Sequence, residues 1–153
     1  VLARSHEEDQ EMASFIYNNA VKAMITGDID FDGTGEDTFK IALLSGTAQS
    51  TSTEKVNYDF RDDVTTELST GNGYTGAKAT TPTVSVDGNN IEVDFSSVNW
   101  TSATISATGA IIYVDNGSAA TDVLVAYLDF GGTVSSTDGT FTVSITSPLT
   151  IAN

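Results

Sequence analysis

Five stretches of the chain carry the two-residue rhythm or the β-branched and aromatic content of strands, and this limits the fold more than any other feature. TFKIALL (38–44) alternates and then turns wholly apolar, as a strand passing under cover does. IEVDF (91–95) sets Ile91, Val93 and Phe95 on one face and Glu92 and Asp94 on the other. AIIYV (110–114) and DVLVAYLDF (122–130) are rich in β-branched and aromatic residues, and TFTVSI (140–145) alternates again. DGNN, DNGS, FGG and TDGT each read as a turn or loop among these runs, and SGTAQSTSTEK (45–55) reads as an exposed polar loop. Serine and threonine fill the remaining positions, which suits solvent-facing strand sites. Short strands separated by turns, with one helix at the start, predict an all-β chain: a jelly-roll-like or antiparallel β-sandwich with one short N-terminal α-helix.

That helix is expected to begin at a Ser14 cap. Phe15, Ile16, Ala20, Ala23 and Met24 then fall near one face, and Gly27 suits the terminating left-handed position. Just beyond lies GDIDFDGTGED (27–37), whose Asp28, Asp30, Asp32 and Gly33 open like a helix–loop–helix calcium site. Position 12 of such a loop needs a bidentate glutamate, and here it is Phe39. Ile29 and Phe31 between the aspartates instead predict a half-buried acidic strand and turn, with the apolar pair inward and the acids guarding an edge. No metal or other cofactor is expected. If any residues held an ion, they would be Asp28, Asp30 and Asp32.

The charge excludes whole classes of partner. Twenty-one acidic residues face six basic ones, a formal net charge of −15, which repels nucleic acid phosphates and anionic lipid. No apolar run approaches the roughly 20 residues of a membrane span, so neither nucleic acid nor membrane is expected as a partner. There is no cysteine, hence no disulfide framework and no thiolate site. Chemistry finds little footing. The one histidine, His6, lies in a charged leader. Asp62, Asp63 and Glu67 could be read as carboxylates for sugar hydrolysis, but neighbours on a strand face opposite ways. GNGYTG (71–76) lacks the lysine of a phosphate loop and reads as a turn around Tyr74. Trp100, the sole tryptophan, is expected as a core or interface anchor, with a sugar-stacking platform as the alternative. Lys22, Lys40 and Lys78 allow the thought of an internal isopeptide crosslink.

Residues 1–11, VLARSHEEDQE, are charged and show no periodic apolar face. They read as a leader or disordered arm, or as a non-native extension, with Met12 as the natural start and 12–153 as a single β-rich domain.

From Ala13 onward five segments follow one another in a telling order: SFIYNNAVKAMITGDIDF (14–31), DTFKIALL (37–44), YDFRDDV (58–64) with TTEL and GNGYTG downstream, VNWTSATISATGAIIYVDNG (98–117), and DVLVAYLDFGGTVSSTDGTFTVSI (122–145). In this order and spacing the chain resembles a family of small bacteriophage virion structural proteins of the head-decoration or cement type. The resemblance implies a non-enzymatic subunit that decorates and cements the capsid exterior. It implies a homotrimer seated on the major capsid protein lattice, made in the host cytoplasm and ending in the virion. It brings no catalytic residues. Phe15, Tyr17, Trp100 and Tyr113 are the apolar candidates for a subunit interface. The competing expectations are a tail- or fibre-associated module that binds a host glycan or receptor, and a bacterial surface domain.

Overall fold

FKIALL shows why the molecule is layered as it is. In the computed structural model, which describes residues 14–31, 37–46 and 52–151, this segment forms strand β2 (Phe39–Leu44) at an inner position of a five-stranded antiparallel sheet. Every β2 side chain except Lys40 is buried. Phe39, Ile41 and Leu43 face one hydrophobic cluster, while Ala42 and Leu44 face another. A strand covered on both sides needs apolar residues at consecutive positions, which is why the alternation stops.

The sheet runs β1 (Phe15–Ile16), β8 (Leu124–Ser135), β7 (Ser106–Val114), β2, β3 (Lys78–Thr80). Ile41 pairs with Ile112 and Ala42 with Ile111, so the two faces stay in phase across β2 and β7. One face packs on two smaller antiparallel sheets. These are β10 (Leu149–Ile151), β5 (Asn90–Phe95) and β4 (Pro82–Asp87), and the pair β6 (Val98–Ala103) with β9 (Gly139–Val143). Val93, Phe95, Trp100, Phe141 and Leu149 meet Ile41, Ile112 and Leu128 there. The opposite face is covered by helix α1 (Asn18–Thr26) through Ala20, with Tyr17 just before the helix and Val64 beside them. The architecture is therefore an all-β antiparallel sandwich with short helices. A second one, α2 (Ser52–Asn57), and a 3₁₀ turn at Arg61–Asp63 occupy the chain after β2.

Several expectations change at this level. Ser14 does not cap α1: its hydroxyl accepts the Asp129 N–H at 3.1 Å, and Phe15–Ile16 pair with Tyr127 and Ala126 as a strand. The helix begins three residues later, behind an extended Tyr17 with no side-chain cap. Its far end follows expectation, with Gly27 left-handed at φ 77° and the Asp28 N–H returning to the Ala23 carbonyl at 2.8 Å. Residues 28–31 then form a turn rather than a strand. Ile29 is nevertheless buried, and Phe31 stacks 4.9 Å from Phe39. Part of the stretch expected as a loop is helix α2, while residues 47–51 lie outside the described residues. FGG is no inter-strand turn, because Gly131 and Gly132 lie inside β8. The register jumps there from Ala107–Val134 to Gly109–Asp129, so β8 carries a multi-residue bulge. Gly109 fills a different need. A Cβ at that position would come within 2.7 Å of the Leu128 carbonyl oxygen and 2.9 Å of the Tyr127 ring, so two strands close here only over glycine. The leader 1–11 and Met12 lie outside the described residues.

Candidate functional site

The charged cluster that stands out joins segments far apart in sequence. After α2 the chain turns at Arg61–Asp63, where the Asp63 carboxylate accepts the N–H groups of Asp59 (2.9 Å) and Phe60 (3.1 Å) and fixes the turn. The Arg61 N–H donates to the Asp122 carbonyl at 2.9 Å, so the turn is tied to the start of β8. The Arg61 side chain then reaches inward, with its guanidinium centre 4.8 Å over the Tyr113 ring. Nε lies 3.0 Å from Asp122 Oδ2 as an ion pair rather than an aligned hydrogen bond, and a terminal nitrogen reaches Glu67 Oε2 at 3.4 Å. Asp122 is fully buried, and its other oxygen accepts the Asn116 N–H at 2.7 Å.

One guanidinium thus neutralises two carboxylates and lies over an aromatic face, a task suited to a planar, permanently charged fork. It fastens the 3₁₀ turn, the 115–122 loop, β7 and the Glu67 segment, which bridges to Leu44 of β2. Burial pushes the Glu67 carboxyl above the usual range, Arg61 pulls it back, and Asp122 pushes it up again. Burial likewise pushes the Tyr113 phenol up, against the pull of Arg61. The carboxylates serve here as counter-ions, and the cluster's evident capacity is to hold loops together.

A raised acid has a definite sign in stability. The folded state holds the Glu67 proton more tightly than the unfolded chain, so the group favours folding below the ordinary glutamate pKa of about 4.3 and loses that contribution as pH rises through its raised value. Glu67→Gln is therefore expected to be neutral or stabilising at pH 7, by less than about 1 kcal/mol because the site is part-exposed. The difference should vanish near pH 4. Urea titrations at the two pH values check this, and a variant that loses stability chiefly at pH 7 would show the ion pair outweighing burial.

The other expected site residues are scattered. Asp62 is exposed while Asp63 is spent on the backbone, so the pair does not converge. Asp28 accepts the Thr26 hydroxyl at 2.6 Å, and the Asp30 N–H donates to Asp37 at 2.7 Å. Asp32 lies outside the described residues, as does His6. Among the described residues no three His, Cys, Asp or Glu side chains gather as a metal site would require. Lys40 meets Asp115 in a part-exposed ion pair.

The interface candidates are mostly interior. Tyr17, Trp100 and Tyr113 are 0%, 1% and 2% exposed, so within this fold they are core residues and not surface for a neighbour. Phe15 is half-buried, edge-on to Tyr17 at 5.1 Å. Trp100 donates its indole N–H to the Gly76 carbonyl at 2.9 Å and lies 5.5 Å from the Tyr74 ring. GNGYTG is a turn, closed by reciprocal Gly71–Tyr74 backbone bonds, with Tyr74 buried beneath it. The Tyr74 hydroxyl accepts the Leu43 N–H at 3.3 Å, and burial pushes its phenol up to about 12. Sequence reasoning passed over Arg61 and Asp122 as a pair. The available signal was scarcity, since the chain holds two arginines and Arg61 lies amid acids in YDFRDDV.

Comparison with protein-family models, with curated proteins and with solved structures finds no match.

Proposed function

We propose that the chain is a non-enzymatic structural subunit of a bacteriophage virion, mounted on the outside of the capsid as a homotrimer that reinforces the major capsid protein lattice. The order of segments from Ala13 onward suggests this family. The observation that carries the reading is how the described side chains are spent. Arg61 is occupied by its own carboxylates and Trp100 by its own core, which leaves surface rather than a reactive centre to meet a partner. A hollow of about 330 Å³ between β8 and the β9–β10 connection holds one charged side chain, Asp129. A glycan platform built on Trp100 and Tyr74 would need both rings open to solvent, and both are buried. Contacts repeated over a lattice would add up to firm attachment even where each is weak.

Electron microscopy of purified virions tests the assignment. Density for this fold is expected on the outer shell, and stripping it should leave intact but fragile heads. Density confined to the tail tip would refute it. Light scattering on the purified protein should give the trimer mass, and a monomer at all concentrations would remove the trimer.

A further inference from the structure

Strand β4 ends the β10–β5–β4 sheet, and among the described residues nothing pairs with its outer edge. The neighbouring sheet manages its edges by brevity, with a two-residue β1 and a three-residue β3. β4 is six residues long, and every one after Pro82 is exposed. The Ser96 N–H bonds the Thr81 carbonyl at 2.9 Å. With the pairings Thr83–Asp94 and Ser85–Glu92, this sets the alternation of the ladder. The N–H and C=O groups of Val84 and Val86 then point to the open edge. Pro82 shares that phase and gives up no ladder bond.

The side chains are as unfinished as the backbone. Val84 pairs with Val93 and Val86 with Ile91, on the face that Val93 and Phe95 bury in the core. Toward the hairpin tip this face overruns the core, so Val84, Val86 and Ile91 are 46%, 72% and 38% exposed. The opposite face carries Asp87, Glu92 and Asp94. No lysine, arginine or histidine occurs anywhere in residues 79–153, which include β4, β5, β6, β9 and β10. The edge therefore combines free backbone groups, an apolar inner face and an acidic outer face with no cation in its layer.

We propose that the open edge of β4 is a docking site for a basic, extended segment of another protein, which joins the β10–β5–β4 sheet as a fourth strand. Its backbone pairs with Val84 and Val86. Its apolar side chains cover Val84 and Val86, and its alternate lysine or arginine side chains lie beside Thr83, Ser85 and Asp87 and extend across β4 toward Glu92 and Asp94 on β5. A second copy of this chain fits less well, because its own edge repeats the same acidic face. The inference stands on the sheet edge and its charge, and does not rest on the virion reading.

The probe is a seven-residue peptide of alternating lysine and valine, titrated into the whole protein while amide exchange is followed by NMR. At saturation, exchange at Val84 and Val86 should slow at least tenfold. Replacing the peptide's lysines by glutamates should weaken binding at least tenfold. Val84→Pro removes one outward N–H and no ladder bond, and should weaken binding at least tenfold at an unchanged melting temperature. Val86→Lys keeps the backbone and places a cation on the edge, and should weaken binding as well. Equal binding of the glutamate peptide, protection away from Val84 and Val86, or full affinity in both variants would each overturn the proposal. So would self-association of the free protein that Val84→Pro abolishes, since a second copy would then occupy the edge.

Discussion

Arg61→Ala is expected to lower folding stability by about 3 kcal/mol, toward the low end for a broken buried pair because the guanidinium keeps some exposure. The loss comes mainly from Asp122, which is fully buried and would keep the Asn116 N–H without its counter-ion. Urea unfolding followed by the fluorescence of Trp100 measures it. Arg61→Lys should lose about half as much, because an ammonium restores charge without the planar contact to Tyr113. The decisive comparison is a cycle with Asp122→Asn. Once the buried charge is gone the arginine has less to neutralise, so the double variant should be more stable than the summed losses require, by about 1–2 kcal/mol. Strict additivity would mean that the two groups are neighbours without being coupled.

Trp100→Ala should cost more, about 4 kcal/mol, because it empties the largest fully buried side chain of the core. The indole fills space between the Tyr74 ring at 5.5 Å and the Phe141 ring at 6.4 Å, and its N–H holds the 71–76 turn onto β6 through Gly76. Against a typical domain stability of 5–15 kcal/mol this is a large share. Circular dichroism during thermal unfolding is the suitable measurement, since the variant lacks the fluorophore. Trp100→Phe retains most of the apolar volume but abandons the Gly76 carbonyl, and is expected to lose about 1–2 kcal/mol. In the unmodified protein Trp100 emission should be blue-shifted and shielded from acrylamide. A quenched, red-shifted signal would put the ring back on the surface and revive the glycan-platform reading.

The sandwich was legible where burial writes itself into consecutive residues. FKIALL announced a strand that goes under cover, and IEVDF announced its inward face, although Ile91 lies partly beyond the core. Edges leave a fainter trace. PTVSVD forms β4 with hardly any burial, so composition gave it little to declare, and the polar α2 was hidden for the same reason. The start of α1 was misplaced because Phe15 and Ile16 are apolar neighbours that suit a helix face or a strand equally, and pairing with β8 decided between them. Gly131 and Gly132 suit a turn or loop as well as a bulge, because glycine marks left-handed backbone without saying whether the chain reverses or bulges. Arg61 and Asp122 belong to separate segments that only the tertiary fold brings together. The open edge of β4 was equally invisible, since it depends on which strand fails to find a neighbour.

The position of β2 has a consequence for how the protein is made. Its main partner, β7, begins at Ser106, roughly 60 residues after Leu44, and a ribosome adding about 5–20 residues per second needs on the order of 3–12 s to deliver it. Throughout that interval the apolar strand, interrupted by Lys40 alone, lacks its longest paired neighbour and has only the three-residue β3 to pair with on its other edge. Apolar strand surface is therefore open to wrong partners during synthesis, until β7 has left the ribosome.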